Sequence, residues 1–439
     1  RSYIRRRQTA LRKILDAHKI VSLERYFSDR APATLGESLE LGREPLDYSL
    51  NEPQSRALTK LWQRGPVSFL QGPPGTGKTM FIAAFIHHAL THGGAKNVLL
   101  TAQTHEAVDG AAARLLELFQ NRGEEIDLIR IASNAERIDG ALRNAHAAAL
   151  QERVRQRFSA ERAERVVALA TPLGIEPEFV RECSKIHRSV VATAETVEAL
   201  QSQIEGSGVA EPAEAEMLRR MKGVLERQCA SYGVEPELGQ NPLALRFRLF
   251  EDAAKRHRVK RADASRLILR LFEAANEYEE ALGQRGALEP VFVRTRRLVC
   301  GTCVGLGDEK LGLIDEAFDL VVVDEAARAQ GSELAIPLVT GRKVLLVGDQ
   351  KQLEPFLDRE ALQKAAKELG LEEAQLMRSD FERAFGSPYG ETASALLDIQ
   401  YRMAPTIGGM VSDVFYDGKL KTGRGAPQPE WRALPWPFD

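Results

Sequence analysis

Residues 72–79 (the phosphate loop) carry the clearest chemical signal in the chain. They read GPPGTGKT and fit the pattern G-x-x-x-x-G-K-[S/T]. Glycines let such a loop turn tightly, so its backbone N–H groups converge at a helix start and can hold a phosphate. Lys78 would reach the β- and γ-phosphate oxygens of ATP, and the Thr79 hydroxyl would ligate Mg²⁺. The predicted nucleotide-binding residues are Gly72, Pro73, Pro74, Gly75, Thr76, Gly77, Lys78 and Thr79.

Two adjacent carboxylates follow a second apolar stretch. Residues 320–323 read LVVV, and Asp324 and Glu325 come next. On a strand beside the phosphate loop, Asp324 would hold the Mg²⁺ shell and Glu325 would accept a proton from the attacking water. The alternative, a solvated strand end, is disfavoured because the chain also contains a phosphate loop.

A glutamine and an arginine complete the predicted catalytic set. Residues 348–355 read GDQKQLEP, and the Gln352 amide could bond both a γ-phosphate and the catalytic water. Lys78 and Mg²⁺ leave the transition state incompletely neutralised, and enzymes with this loop commonly supply an arginine from elsewhere. Arg402, in QYRMAP (400–405), is the candidate; a local salt bridge is its alternative role.

Short apolar stretches that resemble strands alternate with helical segments around these motifs. Such alternation predicts a parallel sheet covered by helices on both faces. The phosphate loop follows one of these strands and opens a helix, as a nucleotide-binding loop must. The predicted strands are residues 67–70, 97–101, 126–132, 297–301, 320–323 and 344–347, and a further apolar stretch spans 395–399.

The middle of the chain, from about Glu136 to Leu288, lacks strand patterns. Apolar residues at helical spacing predict a helical insertion, with these side chains forming its own core. Its basic segment could line a path for nucleic acid or could be a solvated helix face, and both interpretations stay open. The apolar stripes are Ile186, Val190, Val197, Leu200, Ile204 and Leu267, Leu271, Ala275, Tyr278, Leu282; the basic residues are Lys255, Arg256, Arg258, Lys260 and Arg261.

The N-terminal segment is strongly basic. Residues 1–28 are predicted to form one amphipathic helix, with Ile4, Leu11, Ile14 and Leu15 on its apolar side. Its first 13 residues hold six Arg or Lys and no acid, which fits either a solvated face or contacts to phosphates. Residues 29–49 contain Pro and Gly and are predicted to be a linker.

Composition excludes several classes of protein. The 439 residues carry a formal net charge of −2, so a nucleic-acid partner would bind a local groove. No apolar stretch approaches the about 20 residues that cross a bilayer, and the basic start lacks the apolar segment of a signal peptide. We therefore expect no membrane partner, no secretion, and a cytoplasmic, nucleoid or nuclear location. The sequence lacks an initiator Met, which suggests a fragment or a processed product.

Four cysteines, Cys183, Cys229, Cys300 and Cys303, do not make a disulfide framework in a chain of this length and indicate a reducing compartment. Cys300 and Cys303 form a C-x-x-C pattern, but no second pair completes a zinc site. We expect these two residues to fill space at a strand end.

Seven motifs occur in one order with wide gaps, and together they resemble the superfamily 1 helicases of the senataxin and nonsense-mediated-decay type (superfamily 1B). They are LNEPQSRAL (50–58), GPPGTGKT (72–79), TAQTHEAVDG (101–110), CGTCVGLG (300–307), VVVDEAA (321–327), GDQKQLEP (348–355) and QYRMAP (400–405). The segment FYDGKL (415–420) is similar as well. The resemblance implies that Gln54 reads adenine, that Tyr401 stacks on the base, and that Arg402 contacts the γ-phosphate.

Nucleic-acid contacts are also implied by the resemblance. Thr104, His105 and Thr302 fall in motifs that touch the nucleic-acid backbone in this family. His105 departs from the asparagine that is usual there, which leaves its contact open.

The resemblance implies an α/β fold: a RecA-like P-loop NTPase parallel sheet with a long helical insertion, followed by the start of a second RecA-like domain. Residues 1–28 resemble the stalk helix that joins a β-barrel to the first such domain in this family. Later family motifs would lie beyond Asp439, so we expect the chain alone to hydrolyse ATP poorly. The expected boundaries are 1–49 (stalk-like helix and linker), 50–135 and 291–394 (first RecA-like domain), 136–290 (insertion) and 395–439 (incomplete second domain).

The implied activity is that of an ATP-dependent helicase or translocase on single-stranded DNA or RNA, running 5′-to-3′, with ATP and Mg²⁺ as cofactors. A protein partner of the insertion is a further expectation. Two other classes stay open: an ATPase that remodels protein complexes, and a nucleic-acid-binding scaffold with weak ATPase activity. The remodelling class shares the phosphate loop and the acidic pair but fits GDQKQLEP and QYRM poorly.

Overall fold

The computed structural model describes residues 2–16, 20, 22–38, 45–207, 212–235, 241–284, 286–353, 355 and 358–423. The chain packs into two compact units. The first combines residues 1–150 with 288–439, and the second is 151–287. The second unit is shorter than the predicted insertion because Ile138, Leu142 and Leu150 lie in the cores of the first unit.

A seven-stranded sheet organises the first unit, and every neighbouring pair of its strands is parallel. In chain order the strands are β1 (Val67–Gln71), β2 (Val98–Ala102), β3 (Leu128–Arg130), β4 (Leu298–Thr302), β5 (Leu320–Asp324), β6 (Val344–Gly348) and β7 (Ser394–Leu396). In space they follow the order β3-β4-β2-β5-β6-β1-β7. The predicted α/β class with a RecA-like parallel sheet is confirmed.

Both faces of the sheet are buried, which explains why its strands are continuous apolar stretches. Side chains alternate along each strand, so β5 places Val321 and Val323 in one core and Leu320 and Val322 in the other.

The last strand and two small sheets refine the expected layout. The apolar stretch 395–399 does not begin a new sheet, since β7 pairs with β1. The chain then pairs Ile399–Gln400 with Lys421–Thr422 in a separate parallel ribbon. Within the predicted linker, Glu37–Ser38 pairs with Arg64–Gly65 in an antiparallel ribbon.

Helices connect the strands and cover both faces of the sheet. The α-helices of the first unit are Ser2–Asp16, Glu52–Gln63, Lys78–Thr91, His105–Asn121, Glu289–Thr295, Cys303–Leu306, Gly331–Leu338, Arg359–Leu369, Glu373–Met377, Asp380–Phe385, Pro388–Ala393 and Pro405–Phe415. Its 3₁₀ helices are Leu23–Phe27, Ala33–Leu35, Ala135–Arg137, Gly140–Ala145, Glu309–Leu311, Leu313–Asp315 and Ala326–Arg328.

The carboxyl ends of the parallel strands meet at one edge of the sheet. The last residue of β2, Ala102, lies opposite Thr302 on one side and Asp324 on the other. Gln71, at the end of β1, lies opposite Gly348 at the end of β6. The loops that follow these strands therefore share one edge, which is where ligands bind in open α/β sheets.

The predicted N-terminal helix over residues 1–28 is wrong in its length and in its buried face. The helix ends at Asp16, and a 3₁₀ turn follows at Leu23–Phe27. Ala10 and Ile14 are buried, whereas Ile4 and Leu11 are exposed; the side chain of Leu15 lies outside the described residues.

Ion pairs explain the orientation of this helix. Arg6 pairs with Asp308 at 2.5 Å and Arg7 with Glu333 at 2.5 Å, and Lys13 pairs with Asp315. Part of the basic charge therefore pairs the helix with carboxylates elsewhere in the first unit, a role that neither the solvated-face nor the phosphate interpretation anticipated.

The described residues of the second unit form helices joined by short turns, with no strand among them, as expected for the insertion. Its first stripe is correct in part: Ile186, Val190 and Val197 are buried. The second stripe is also correct in part: Leu282 is buried and Leu267, Leu271 and Ala275 are half-buried, but Tyr278 is exposed. The fully buried Ile268 and Phe272 lie one residue after the predicted Leu267 and Leu271. The α-helices are Ala147–Ala170 (which begins in the first unit), Pro177–Ile186, Ala192–Ser207, Pro212–Ser231, Pro242–Arg256 and Ala264–Gly283, with a 3₁₀ turn at Thr171–Leu173 and a π-helical turn at His187–Val191.

The basic segment of the insertion is partly neutralised within its own unit. Three of its cations pair with carboxylates: Lys255 with Asp252 at 3.0 Å, Arg256 with Glu182 at 2.6 Å and Arg261 with Asp263 at 2.6 Å. A nucleic-acid path along this segment stays a prediction.

The C-x-x-C pair fills space at the end of β4, as expected. Cys300 and Cys303 are both free thiols and buried, and burial raises the pKa of each to about 12. The Thr101 hydroxyl donates to the Cys303 sulfur at 3.4 Å. Within the part of the chain that the structure describes, His, Cys, Asp and Glu form no group of three suited to a metal ion.

Candidate functional site

The phosphate loop leads from β1 into the helix Lys78–Thr91. Gly75 and Gly77 have left-handed φ angles of +77° and +83°, which residues with a Cβ rarely adopt. Thr76 is buried, and its hydroxyl donates to the Pro73 carbonyl at 2.7 Å. The loop is thus a tight turn at a helix N-terminus, a geometry that binds phosphate.

Lys78 lies close to acidic groups from other strands. Its ammonium donates to the Gly72 carbonyl at 2.5 Å. Burial lowers the pKa of Lys78, and the carboxylates of Asp324 and Asp349 oppose that shift. The structure therefore brings Lys78 and Asp324 together, and Thr79 is exposed one residue further along the helix.

Asp324, the last residue of β5, and Glu325, which follows it, lie in different surroundings. Burial raises the pKa of Asp324 to about 6, although the Glu325 N–H donates to it at 2.8 Å. Glu325 has a left-handed φ of +54°, a conformation that costs roughly 1 kcal/mol for a residue with a side chain. Its Oε2 is buried with no hydrogen-bond partner among the described residues and lies 3.7 Å from Nη1 of Arg328.

Gln352 is held by a neighbour that the sequence interpretation missed. Its Nε2 donates to Asp349 Oδ2 at 2.8 Å. Asp349 is buried and also accepts from Gln71 Nε2 at 3.1 Å and from the Tyr416 hydroxyl at 2.6 Å. The available signal was the position of Asp349, directly after the predicted strand 344–347 and Gly348.

Residues 400–403 (the Arg402 turn) lie directly on the phosphate loop. The Tyr401 N–H donates to the Gly75 carbonyl at 3.0 Å, and a Cβ on Gly75 would lie 2.5 Å from the Cβ of Arg402. Gln400 is buried and builds the turn, because its Oε1 accepts from the N–H groups of Arg402 at 2.9 Å and Met403 at 2.7 Å. The exposed Arg402 is near enough for its charge to lower the pKa of Lys78 further.

Gln54 and Tyr401 lie on the same side of this loop. Gln54 is buried, and its Nε2 donates to the Thr76 carbonyl at 2.9 Å. Its Oε1 accepts from the Asn51 N–H at 3.0 Å. The Asn51 side chain in turn donates to the Tyr401 hydroxyl at 3.1 Å. The Gln54 amide therefore already cross-links the loop and its own helix start.

Thr104 and Thr302 follow neighbouring strands and cap helices in the same way. The Thr104 hydroxyl accepts from the Ala107 N–H at 3.2 Å, and the Thr302 hydroxyl accepts from the Gly305 N–H at 3.2 Å. Because β2 and β4 are adjacent, the structure brings these two hydroxyls to the same sheet edge.

His105 is oriented by a buried arginine. Its Nδ1 lies 3.0 Å from Nη2 of Arg130, which is fully buried and donates to Asp109 at 2.6 Å. A guanidinium can only donate, so Nδ1 accepts and the ring proton lies on Nε2. The imidazole thus presents an N–H donor, as the amide of the usual asparagine does.

Comparison with known proteins identifies the family. A family model described as an AAA domain matches residues 49–360, and a second model of that description matches 376–437. "ATP-dependent helicase NAM7" of Saccharomyces cerevisiae is 26% identical over 99% of this chain, and "Helicase SEN1" of that yeast is 24% identical over 90%. "ATP-dependent helicase upf1" of Schizosaccharomyces pombe is 27% identical over 85%. The chain belongs to the superfamily 1B helicases.

The superfamily 1B assignment confirms the resemblance drawn from the motifs. The chain spans 33%, 16% and 28% of the lengths of these three relatives, in the same order. Among the helices that the structure describes, none combines the length and apolar character needed to cross a bilayer.

The residues at this edge fit the ATP and Mg²⁺ that superfamily 1B motifs imply. Thr79 supplies a hydroxyl and Asp324 a carboxylate, oxygen ligands of the kind that Mg²⁺ takes together with several waters. The buried Oε2 of Glu325, which lacks a donor among the described residues, is suited to an incoming water.

Proposed function

We propose that the chain acts as an ATP-dependent translocase on single-stranded DNA or RNA and moves 5′-to-3′. The observation that carries this proposal is the contact between the Arg402 turn and the phosphate loop at Gly75. This contact joins the motif that carries Arg402 to the phosphate loop, and a nucleotide site with groups on two sides needs both. Two of the relatives are named as ATP-dependent helicases, which supports the same activity. The direction of movement rests on the family resemblance.

The residues of the loop and β5 would perform the hydrolysis. Bound Mg²⁺-ATP supplies the γ-phosphoryl group and its negative charge. Lys78 would exchange its bond to Gly72 for one to the phosphates. Thr79 and Asp324 would hold the metal ion, and Glu325 would take the proton of the attacking water.

Two residues would respond to the γ-phosphate. Arg402 would neutralise its developing charge, a contribution worth about 10³–10⁵ in rate for such arginines. The guanidinium is exposed, so a small movement of its turn over the loop can redirect it. Gln352 would exchange its bond to Asp349 for one to the phosphate or the water.

Strand β2 provides the coupling to nucleic acid. Its end lies between Thr302 on β4 and Asp324 on β5, and it leads directly to Thr104. A single-stranded nucleic acid whose phosphates rest on Thr104 and Thr302 would therefore contact elements that also frame the nucleotide site. Opening and closing of that site would then advance the nucleic acid.

ATP hydrolysis by the complete protein, with and without matched single-stranded DNA and RNA, tests the proposal. We expect single strands to raise the rate. Glu325→Gln should abolish hydrolysis while ATP binding persists, and the exposed Glu368→Gln is its control. Hydrolysis that ignores nucleic acid would favour the remodelling ATPase, and tight ATP binding without turnover would favour the scaffold; either result overturns the proposal.

The same assay separates the substrate classes. A larger stimulation by the DNA or by the RNA strand identifies which one the protein uses. Displacement of a labelled strand from duplexes with a single 5′ or 3′ overhang tests the direction. A translocase of this kind would work where single strands occur, in the cytoplasm, nucleoid or nucleus.

A further inference from the structure

The helix Pro405–Phe415 links two contacts on the carboxyl edge of the sheet. The Arg402 turn precedes it and rests on Gly75, and Tyr416 follows its last residue. An α-helix of 11 residues is a rod of about 16 Å. Because the rod is stiff, its two ends cannot move independently, and a shift of the Arg402 turn also shifts Tyr416.

The Tyr416 hydroxyl reaches the residue that holds Gln352. It donates to Asp349 Oδ2 at 2.6 Å, and the same oxygen accepts from Gln352 Nε2 at 2.8 Å. The other oxygen accepts from Gln71 Nε2 at 3.1 Å and from the Lys351 N–H at 3.2 Å. Asp349 thus connects the ends of the neighbouring strands β1 and β6 to the residue that follows the helix Pro405–Phe415.

The Tyr416 ring is buried, but packing does not fill all the space beside it. A cavity of about 140 Å³ lies beside it and is lined by Gln71, Pro73, Lys351 and Asp398 among others. Burial and the bond to Asp349 raise the pKa of Tyr416, so its hydroxyl remains a donor at neutral pH. The hydrogen bond therefore fixes the ring where the packing leaves room.

We propose that Tyr416 is a positioning residue that couples the Arg402 turn to Gln352 through the Asp349 carboxylate. With the turn on the phosphate loop, Tyr416 orients the carboxylate that holds Gln352. When the turn withdraws, the helix takes the hydroxyl with it, and Gln352 loses its fixed position. The inference rests on the proposed function, because it assigns Gln352 a part in hydrolysis.

A double-mutant cycle tests this coupling. We expect Tyr416→Phe, which removes only the hydroxyl, to slow ATP hydrolysis about tenfold and to change ATP affinity less than about twofold. In a Gln352→Ala background the same substitution should have no further effect. Tyr389→Phe is the matched control, since its buried hydroxyl donates to the Val67 carbonyl instead.

The outcomes separate the coupling from the proposed function. Independent losses, in which the effects of Tyr416→Phe and Gln352→Ala multiply, would overturn the coupling alone. A wild-type rate in Gln352→Ala would contradict the role of Gln352 in hydrolysis and the inference with it.

Amide hydrogen exchange decides the inference where hydrolysis is too slow to follow. The Lys351 N–H donates to the Asp349 carboxylate at 3.2 Å, whereas the Gln352 N–H donates to the Asp349 backbone carbonyl at 3.2 Å. Tyr416→Phe should speed the exchange of the Lys351 N–H about tenfold, and Tyr389→Phe should leave it unchanged. Unchanged exchange in a folded Tyr416→Phe protein would overturn the inference.

Discussion

The residues at the candidate nucleotide site carry charge that the fold does not fully compensate. Asp324 is buried although it ends a strand in a charged neighbourhood, and Lys78 is the nearby cation that acts on it. Glu325 adopts a strained backbone conformation one residue later. Such arrangements lower stability and persist at sites that bind ligands.

Asp324→Asn is expected to stabilise the folded chain at neutral pH. The folded-state pKa of about 6 exceeds the ordinary 3.8, so the contribution of this carboxyl to stability is full below pH 3.8 and is lost as the pH rises through 6. Removing the charge should raise the free energy of unfolding by about 3 kcal/mol at pH 7.5 and by little near pH 4. Urea unfolding without Mg²⁺ measures both values.

The exposed Asp413→Asn provides the control for this substitution. It should leave the free energy of unfolding unchanged at both pH values. A lower stability of Asp324→Asn than of the wild type at pH 7.5 would contradict the prediction.

His88 gives the helix Lys78–Thr91 an acid-sensitive point. Its ring is fully buried against Trp62, with centroids 5.0 Å apart, and neither ring nitrogen has a hydrogen-bond partner among the described residues. Burial lowers its pKa from 6.5 to about 4, so the stability that the neutral ring contributes is full above pH 6.5 and falls as the pH drops towards 4. His88→Leu should reduce the fall in the free energy of unfolding between pH 7 and pH 5 by about 2 kcal/mol.

Urea unfolding at several pH values measures this effect. Phe85→Leu, which changes a buried ring that also packs on Trp62 but does not titrate, should keep the pH dependence of the wild type. If His88→Leu and the wild type lose stability equally on acidification, the buried ring is not the cause.

At the scale of elements, the strands follow from the sequence and the N-terminal helix does not. A parallel sheet covered on both faces is built from continuous apolar stretches, which are visible locally. The N-terminal helix instead buries Ala10 and Ile14 and exposes Ile4, and it pairs with carboxylates some 300 positions away along the chain, which no local pattern reveals.

The candidate site divides in the same way. Lys78 and Asp324 lie in motifs whose chemistry is readable from residue type and spacing. Asp349 and Tyr416 act through hydrogen bonds to partners distant in sequence. These contacts depend on β1, β6 and β7 being neighbours, and no local pattern reveals strand order.

The ion pair between Arg7 and Glu333 is expected to hold the N-terminal helix in place. Glu333 is 7% exposed, and its other oxygen accepts from Gln103 Nε2 at 3.3 Å. Arg7→Ala leaves this carboxylate without its cation and should lower the free energy of unfolding by about 2 kcal/mol. Arg5→Ala, which removes an exposed pair with Glu309, should change it little. Equal small losses in urea unfolding would contradict this prediction.

At the scale of the whole molecule, the two units differ in how their cores close. The second unit packs Phe179, Phe250 and Phe272 into a core drawn entirely from its own residues. The first unit cannot close from one segment, because β4, which follows the insertion, lies between β3 and β2, which precede it. The insertion therefore interrupts one sheet while remaining a complete helical unit.

Residues 151–287 are accordingly expected to fold as an isolated fragment. A chain of this length can bury a core of its own, and among the residues that the structure describes this core takes no side chain from the first unit. Circular dichroism should show helix with one cooperative urea transition. The fragment 136–290 should be no more stable, because Ile138 and Leu142 would leave the core that they fill in the full chain. A clear gain in stability for 136–290, or no cooperative transition for 151–287, would place the boundary of the folding unit nearer residue 136.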